Sequence, residues 1–261
     1  MIYKLIAMDM DGTLLTDDKQ ISPANWHWIQ EAEKHGIMIM LTTGRGFQNI
    51  KPYLDVLPSH PPIVATNGAE VWSTPTTILH RHVIPWETIK QLREIALELE
   101  EIWYWAYNTE ELVRKDTWDT MEGHADSIWV KFGFATNNQE LLSKLDTKLK
   151  DVKGIEVTSS NDTNREISLQ GISKISGIQA ICNYKGISLK ETVAIGDGEN
   201  DITMLKACGL GIAMENAADY VKQHADLLTA SNENDGVAKL IQFVIEHNKK
   251  YNSLLKEKIH S

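Results

Sequence analysis

Short apolar runs and amphipathic helical patterns alternate in the first and last thirds of the chain. The apolar runs are continuous, as expected of strands covered on both faces, and they fall at residues 3–8, 37–41, 62–65, 193–195 and 210–214. The helical patterns fall at residues 22–36, 175–185 and 202–207. Strand, helix and strand in this order form βαβ units, so the sequence predicts an α/β fold with a doubly wound parallel sheet.

The middle of the chain follows a different pattern. Polar and apolar positions alternate at 103–107, 128–134, 155–157 and 167–169, which is typical of strands with one face in water. Two amphipathic helices accompany them, with apolar faces formed by Ile89, Leu92, Ala96 and Leu99 and by Leu141, Leu145 and Leu149. We therefore expect an inserted α+β domain at 83–170 and a Rossmann-like core formed by 1–82 and 171–261.

The predicted insert is rich in tryptophan. It holds five of the eight tryptophans, namely Trp86, Trp103, Trp105, Trp118 and Trp129. Packing in the core of a small domain explains most of them, and alternation puts Trp103 and Trp105 on one face. Alternation also puts Trp129 opposite Ile128 and Val130, which predicts a place at an interface or over a binding site.

Composition excludes several functional classes. The chain has 261 residues, a net charge of −10 and no basic run, which argues against nucleic acid and anionic membrane surfaces as partners. The N-terminal apolar run is too short for a signal or a membrane span. Cys182 and Cys208 lack the spacing of a metal site, and two buried thiols indicate a cytoplasmic protein.

Asp9 and Asp11 follow the first predicted strand and precede a glycine turn. Strand periodicity puts positions i and i+2 on the same side, so both carboxylates lie at the carboxyl end of that strand. Like charges this close repel unless a cation compensates them. The alternative is a solvated turn that caps a helix.

Three further polar clusters fall at strand ends or helix starts, where ligands of open parallel sheets bind. Thr43 and Gly44 follow the second strand and can cradle an anion, although Thr-Gly ends many strands. Lys174 begins a helix, where a shared anion would favour it, although surface lysines are common. The segment 196–201 carries three carboxylates beside two glycines, and such hard oxygen ligands favour Mg²⁺ over zinc.

Taken in chain order, the motifs DxDGT, TTGR, Lys and GDxxND resemble those of the haloacid dehalogenase superfamily over the whole chain. GDGENDITML and the later GIAMENA look like its Cof-type branch, which carries a type IIB cap between the second and third motifs. The turn Asn67-Gly68-Ala69 is also similar to that branch. The resemblance implies a Mg²⁺-dependent phosphatase of small phosphorylated metabolites.

The resemblance also implies roles for individual residues. Asp9 would be the nucleophile and a Mg²⁺ ligand, and Asp11 the general acid/base, with its backbone carbonyl on the metal. Asp197 would be the third protein ligand of Mg²⁺. Contacts to the phosphoryl group would come from Met10 (backbone N–H), Thr43, Gly44 and Asn200, with Lys174 balancing charge and Asp201 orienting Lys174 or the metal.

The sequence is also compatible with two other functions. A sugar phosphomutase has a similar core and cap, and it would interconvert isomeric sugar phosphates while hydrolysing them slowly. A non-catalytic sensor of phosphorylated ligands would have no need of the repulsive pair Asp9 and Asp11. The substrate, the cap residues that contact it, the oligomeric state and the role of the polar tail at 246–261 are not indicated by the sequence.

Overall fold

Both ends of the chain contribute strands to one eight-stranded sheet. The structure is a computed structural model and describes residues 1–57, 60–118 and 124–259. Its strands are β1 (Leu5–Met8), β2 (Met38–Thr42), β3 (Ile63–Ala65), β4 (Glu70–Thr74), β5 (Thr77–Arg81), β6 (Trp103–Asn108), β7 (Leu112–Arg114), β8 (Trp129–Ala135), β9 (Ile155–Thr158), β10 (Asn164–Leu169), β11 (Thr192–Gly196), β12 (Leu210–Ala213) and β13 (Leu227–Leu228). The order in the large sheet is β13-β12-β11-β1-β2-β3-β4-β5.

The large sheet is parallel from β13 to β3, as predicted, and β4 and β5 add an antiparallel edge that the sequence reading missed. The helices are α1 (Pro23–Lys34), α2 (Lys51–Leu54), α3 (Trp86–Glu98), α4 (Gln139–Leu149), α5 (Lys174–Lys185), α6 (Ile202–Ala207), α7 (Asp219–Lys222) and α8 (Gly236–Ile259). Alternate residues of β1 pack on opposite layers: Ile6 and Met8 contact the side of α1 and α8, and Leu5 and Ala7 that of α5 and α6. This central position explains why β1 is apolar on both faces.

A second, antiparallel sheet has the order β7-β6-β8-β10-β9. Helices α3 and α4 cover one of its faces, and their buried residues share a cluster with Tyr104, Phe132 and Phe134. The opposite face lies over the carboxyl ends of the large sheet, where both sheets line one cavity. The fold is therefore an α/β core with an α+β cap. The domain boundaries at 83 and 170 stay a prediction.

The expectation for Trp129 is wrong, because β8 contains a bulge. The pairing of β6 with β8 shifts register between Tyr107 and Asn108, which face Lys131 and Trp129. The extra residue, Val130, reverses the alternation at this point. Trp129 consequently lies fully buried in the cap core, stacked on Trp118, whereas Val130 packs with Tyr107 towards the large sheet.

The cysteines are buried, as expected, and the polar tail is helical. Cys182 and Cys208 are buried free thiols in the cluster under α5 and α6. The polar tail continues α8 as far as residue 259, and the side chain of Asn248 exchanges two hydrogen bonds with the backbone of Tyr3, at 2.9 and 2.8 Å. Residues 260–261 lie outside the described part of the chain. No helix among the described residues is both long and apolar enough to cross a membrane.

Candidate active site

A cavity of about 630 Å³ lies between the core and the cap. Its floor is formed where β1, β2 and β11 end side by side, and its roof by the exposed face of β6, β7 and β8. Two of the nine predicted site residues, Met10 and Lys174, are buried and do not line it. The other seven line it, namely Asp9, Asp11, Thr43, Gly44, Asp197, Asn200 and Asp201. Parallel strands bring their ends together at one edge of a sheet, which explains this convergence.

Lys174 links the first and last motifs. Its Nζ donates to Asp9 Oδ1 and to Asp201 Oδ1, both at 2.6 Å, and all three side chains are almost fully buried. Burial lowers the pKa of Lys174, but the charges of Asp201 and Asp9 outweigh it and raise that pKa above its ordinary value. The ammonium is therefore a fixed positive charge beside Asp9.

Asp197 approaches the same point from β11. Its Oδ1 accepts a hydrogen bond from Thr13 Oγ1 at 2.7 Å. Gly12 makes this approach possible, because a Cβ at that position would lie 2.3 Å from Asp197 Oδ2, and its φ of +75° suits glycine. Asp201 Oδ2 accepts from the backbone N–H groups of Asp197 and Gly198, so Asp201 fixes the loop that carries Asp197.

The three carboxylates of Asp9, Asp197 and Asp201 offer oxygens that all lie within 4.8 Å of one another. Burial, with the neighbouring carboxylates, raises the pKa of Asp9 well above its usual range despite Lys174. Burial and Asp201 likewise raise the pKa of Asp197 to about 6. One lysine thus does not balance two buried acids and a half-buried third, and a second cation at this point would favour their ionised forms.

Asp11 has partners of its own. Arg45 donates to both of its carboxylate oxygens, from Nε at 2.6 Å and from the terminal nitrogen at 2.7 Å, and Lys19 Nζ donates at 2.9 Å. Burial raises the pKa of Asp11, but hydrogen bonds from Arg45 and Lys19 outweigh it and lower that pKa to about 2. The sequence reading assigned no role to Arg45, although it is part of the quoted TTGR motif.

Donors for an anion surround Asp9. The Thr43 side chain is 1% exposed, and its hydroxyl oxygen accepts from the N–H of Arg45 at 3.2 Å, which leaves the hydroxyl hydrogen free to donate. Among the described residues, the backbone N–H groups of Met10 and Gly44 have no acceptor. Asn200 Nδ2 donates to Asn67 Oδ1 at 3.2 Å. The floor of the cavity can therefore hold a phosphoryl group.

Three aromatic residues line the roof of the cavity. Trp103, Trp105 and Tyr107 alternate along β6 and line it together with Leu112 and Arg114 of β7. The indole of Trp105 lies across Gly133 of β8, since a Cβ there would come within 2.3 Å of the ring. A side chain at residue 133 would therefore displace the Trp105 ring from the sheet.

Two buried charged residues of the cap were missed by the sequence reading. Lys131 is 2% exposed and Glu166 is 7% exposed, and both line the cavity. Lys131 stands in an otherwise apolar strand, which is a signal that could have singled it out. Glu166 stands in a strand with several other polar residues, so no such signal marks it. Their partners lie in distant parts of the chain, so the sequence pattern did not indicate what they contact.

Comparisons with known proteins agree with this geometry. Residues 6–241 match the family described as haloacid dehalogenase-like hydrolase. The 5-amino-6-(5-phospho-D-ribitylamino)uracil phosphatase YcsE of Bacillus subtilis is 33% identical over 239 residues, which cover 92% of this chain and 94% of that protein. The pyridoxal phosphate phosphatase YbhA of Escherichia coli is 26% identical and is matched over 95% of this chain and 99% of its own.

A solved structure supports the fold. A haloacid dehalogenase-like hydrolase from Bacteroides thetaiotaomicron superposes with a TM-score of 0.78 at 28% identity, covering 93% of this chain and 99% of that one. The predicted fold class and the predicted enzyme class, a hydrolase acting on phosphoric monoesters, are confirmed. The chain belongs to the haloacid dehalogenase-like hydrolase family.

Proposed function

We propose that the protein hydrolyses phosphate monoesters of small metabolites in two steps, with Asp9 carrying the phosphoryl group between them. The observation that carries the proposal is the buried contact of Asp9 Oδ1 with Lys174 Nζ at the cavity floor. Among the described residues, the other oxygen of Asp9 accepts no hydrogen bond, so it is available to attack phosphorus. A carboxylate attack replaces one very slow hydrolysis with two easier steps.

The anion-binding groups around Asp9 support this assignment. The Thr43 hydroxyl and the N–H groups of Met10 and Gly44 would donate to the phosphoryl oxygens, and the Asn200 amide would complete the contacts. Lys174 would neutralise part of the charge that accumulates in the transition state, while Asp201 keeps the ammonium in place. The roles of Thr43, Met10 and Gly44 follow from donors that lack another acceptor among the described residues, and those of Asn200 and Lys174 from their burial beside Asp9.

The donor set also suits a divalent cation. Carboxylate oxygens within 4.8 Å of one another, with no histidine or cysteine in the group, are the ligands that Mg²⁺ prefers. We assign Asp9 and Asp197 as side-chain ligands and the Asp11 carbonyl as a third, because both Asp201 oxygens are already engaged by Lys174, Asp197 and Gly198. Bound Mg²⁺ would supply positive charge between the nucleophile and the phosphate.

Asp11 is the proposed general acid and base. Its lowered pKa, caused by Arg45 and Lys19, makes it ionised before substrate binds. An ionised Asp11 can deprotonate the water that opens the phosphoryl-aspartate, but it cannot protonate a leaving alcohol. The acid role therefore requires that Arg45 and Lys19 first release the carboxylate, for example to pair with the substrate, and that Asp11 then takes up a proton from water before the alcohol leaves.

The roof of the cavity favours a leaving group that carries a planar ring. Trp105 offers a flat indole face opposite the phosphate site, flanked by Trp103 and by Arg114. Two relatives are named for substrates with a heteroaromatic ring, the ribitylaminouracil phosphate and pyridoxal phosphate. A ring stacked on an aromatic side chain gains roughly 1–3 kcal/mol. The proposed substrates are thus ring-bearing phosphate esters.

Two assays test the proposal. Phosphate release is measured on a panel of esters with and without Mg²⁺, including ring-bearing esters and ribitol 5-phosphate as a ring-free match. Quenching with ³²P-labelled substrate in acid should give a labelled, hydroxylamine-sensitive protein that Asp9→Asn lacks. Equal kcat/KM for ring-bearing and ring-free esters would contradict the ring preference alone, whereas full activity of Asp9→Asn would contradict the mechanism.

The same panel separates the alternatives. A phosphomutase would convert aldose 1-phosphates into their 6-phosphate isomers with little free phosphate, and a sensor would bind esters without turnover. Asp11→Asn should lose about 10²–10⁴-fold in turnover, as expected when a general acid and base is removed. A normal burst of alcohol product from Asp11→Asn would contradict the acid role.

A further inference from the structure

Lys131 and Glu166 form a buried ion pair on the cap face that meets the core. Lys131 Nζ lies 3.0 Å from Glu166 Oε2, and neither side chain is more than 8% exposed. A pair this deeply buried gains little net stability, because both charges lose their hydration. Its remaining contacts are therefore informative about its role.

Both charged groups also bind the core. Lys131 Nζ donates to the carbonyl of Gly44 at 2.7 Å, and Glu166 Oε2 accepts from Asn67 Nδ2 at 2.6 Å. The contacts meet in a small volume, since a Cβ on Gly44 would lie 3.1–3.2 Å from Lys131 Nζ, Asn67 Oδ1 and Glu166 Oε2. Cap and core are thus joined beside the anion-binding turn.

The hydrogen bond from Lys131 to Gly44 influences the Thr43 hydroxyl indirectly. In a trans peptide the carbonyl of one residue and the N–H of the next point in opposite directions. By holding the Gly44 carbonyl, Lys131 fixes the N–H of Arg45, which donates to Thr43 Oγ1 at 3.2 Å. The hydroxyl is thereby oriented with its hydrogen free.

The Glu166 contact reaches the amide of Asn200. Asn67 Oδ1 accepts from Asn200 Nδ2 at 3.2 Å, and Asn67 Nδ2 is held by Glu166. Asn67 and the preceding Thr66 have φ values of +55° and +48°, a conformation that non-glycine residues rarely adopt and that persists only when surroundings hold it. This strained turn aims the Asn67 side chain at both partners.

We propose that Lys131 and Glu166 are positioning residues, which orient the Thr43 hydroxyl and the Asn200 amide for the phosphoryl group while the cap lies on the core. The inference rests on the proposed function, in which Thr43 and Asn200 contact phosphate. Both cap residues act on those groups through the core residues Gly44 and Asn67. Departure of the cap would free both groups at once, which links phosphate binding to cap closure.

The experiment compares single and double variants with a matched pair. Lys131→Met and Glu166→Gln each leave one buried charge unpaired, whereas the double variant leaves none and should regain thermal stability. Arg165→Gln and Asp146→Asn break a second, partly exposed ion pair, at 2.6 Å, that lies within the cap. kcat, KM and inhibition by inorganic phosphate are measured for all variants.

We expect both singles and the double variant to lose about 10–100-fold in kcat, as misplaced binding groups do, and to be inhibited more weakly by phosphate. Arg165→Gln and Asp146→Asn should stay within about twofold of the wild type. If the ion pair had only a structural role, the double variant would regain kcat together with its thermal stability. That result would overturn the proposal.

A second readout is independent of the reaction. Amide hydrogen exchange at Arg45 in the core should become faster in the stable double variant, although both substitutions lie in the cap. Unchanged exchange at Arg45 would overturn the positioning role even in an active enzyme. A wild-type protein that hydrolyses no ester, with faster exchange in the double variant, would refute the proposed function and leave the Arg45 coupling standing.

Discussion

The core and the cap each bury one lysine at the cavity, and the two lysines differ in their charge balance. Lys174 of the core faces Asp9 and Asp201, with Asp197 nearby, so negative charge exceeds positive charge. Lys131 of the cap forms an ion pair with one carboxylate among the described residues, Glu166. The excess of negative charge in the core favours the binding of an added cation. The ion pair in the cap is neutral and needs no cation, so its role can be to position neighbouring groups.

The pKa directions express the same contrast. The acids around Lys174 raise its pKa despite burial. Burial lowers the pKa of Lys131, and Glu166 opposes that effect only in part. Lys174 is therefore held charged by its surroundings, whereas the charge of Lys131 depends mainly on Glu166. Substitutions in the core should consequently affect chemistry, and those in the cap should affect binding geometry and substrate choice.

The largest effect is expected from Asp9→Asn. Turnover should fall by at least about 10⁴-fold, the order seen when an enzyme loses its nucleophile. The fold should persist, because asparagine keeps the shape and Lys174 keeps its contact with Asp201. Phosphate release and thermal unfolding measure the two effects. Asp219→Asn, on a side chain that is 95% exposed, is the control and should match the wild type in both assays.

The second largest effect is expected from the removal of divalent cations. A chelator is expected to abolish hydrolysis, and Mg²⁺ at about a hundred times its Kd should stabilise the folded protein by about 2.7 kcal/mol. The physical reason is the repulsion among the closely spaced carboxylates of Asp9, Asp197 and Asp201. Thermal unfolding with and without Mg²⁺ measures the gain. Asp197→Asn should lose most of it, and an undiminished gain in that variant would contradict the assigned ligands.

A smaller and more selective effect is expected at the roof of the cavity. Trp105→Leu should raise KM about tenfold for ring-bearing esters, through the loss of stacking, and leave ribitol 5-phosphate nearly unchanged. Steady-state kinetics on the two substrates measure the difference. Trp26→Leu, at a half-exposed tryptophan of α1 outside the cavity, is the matched control. Equal losses on both substrates would show that Trp105 supports the cap rather than the ring.

The smallest effect is expected for a surface ion pair of the cap. Lys148 Nζ lies 2.5 Å from Glu98 Oε2, but these side chains are 40% and 60% exposed. Lys148→Ala should change the free energy of unfolding by less than about 1 kcal/mol, since water screens such pairs. Lys131→Met should cost about 3–5 kcal/mol, because it leaves Glu166 charged and buried. Urea titrations of both variants compare buried and exposed pairs directly.

The sequence predicted the core better than the cap, for a physical reason. Residues such as Asp9, Thr43 and Lys174 directly follow or begin elements with strong local patterns, and parallel topology brings those ends together. The helix over 202–207 was predicted with the bounds that the structure shows. The prediction for the core missed β4 and β5. Strand β4 is mostly buried but half polar, and β5 is largely exposed or half-buried, so neither shows a clear apolar period.

In the cap, the burial and the partners of several residues depend on pairing between strands that are distant in sequence, which local patterns do not indicate. The bulge at Val130 reverses the inside and outside of β8, so simple alternation placed Trp129 on the wrong face. Lys131 and Glu166 become partners only because β8 and β10 pair antiparallel. The clamp of Arg45 on Asp11 joins residues 34 positions apart, and no local pattern indicates it.

The place of β1 in the middle of the large sheet has a consequence for biosynthesis. Its neighbours are β2 and β11, so the Asp9 side chain meets Asp197 only after the ribosome has passed residue 201. The strands of the second sheet, by contrast, come from one contiguous stretch between residues 103 and 169. During translation the cap can therefore fold before the core is complete. The nascent chain stays inactive until most of it has emerged from the ribosome.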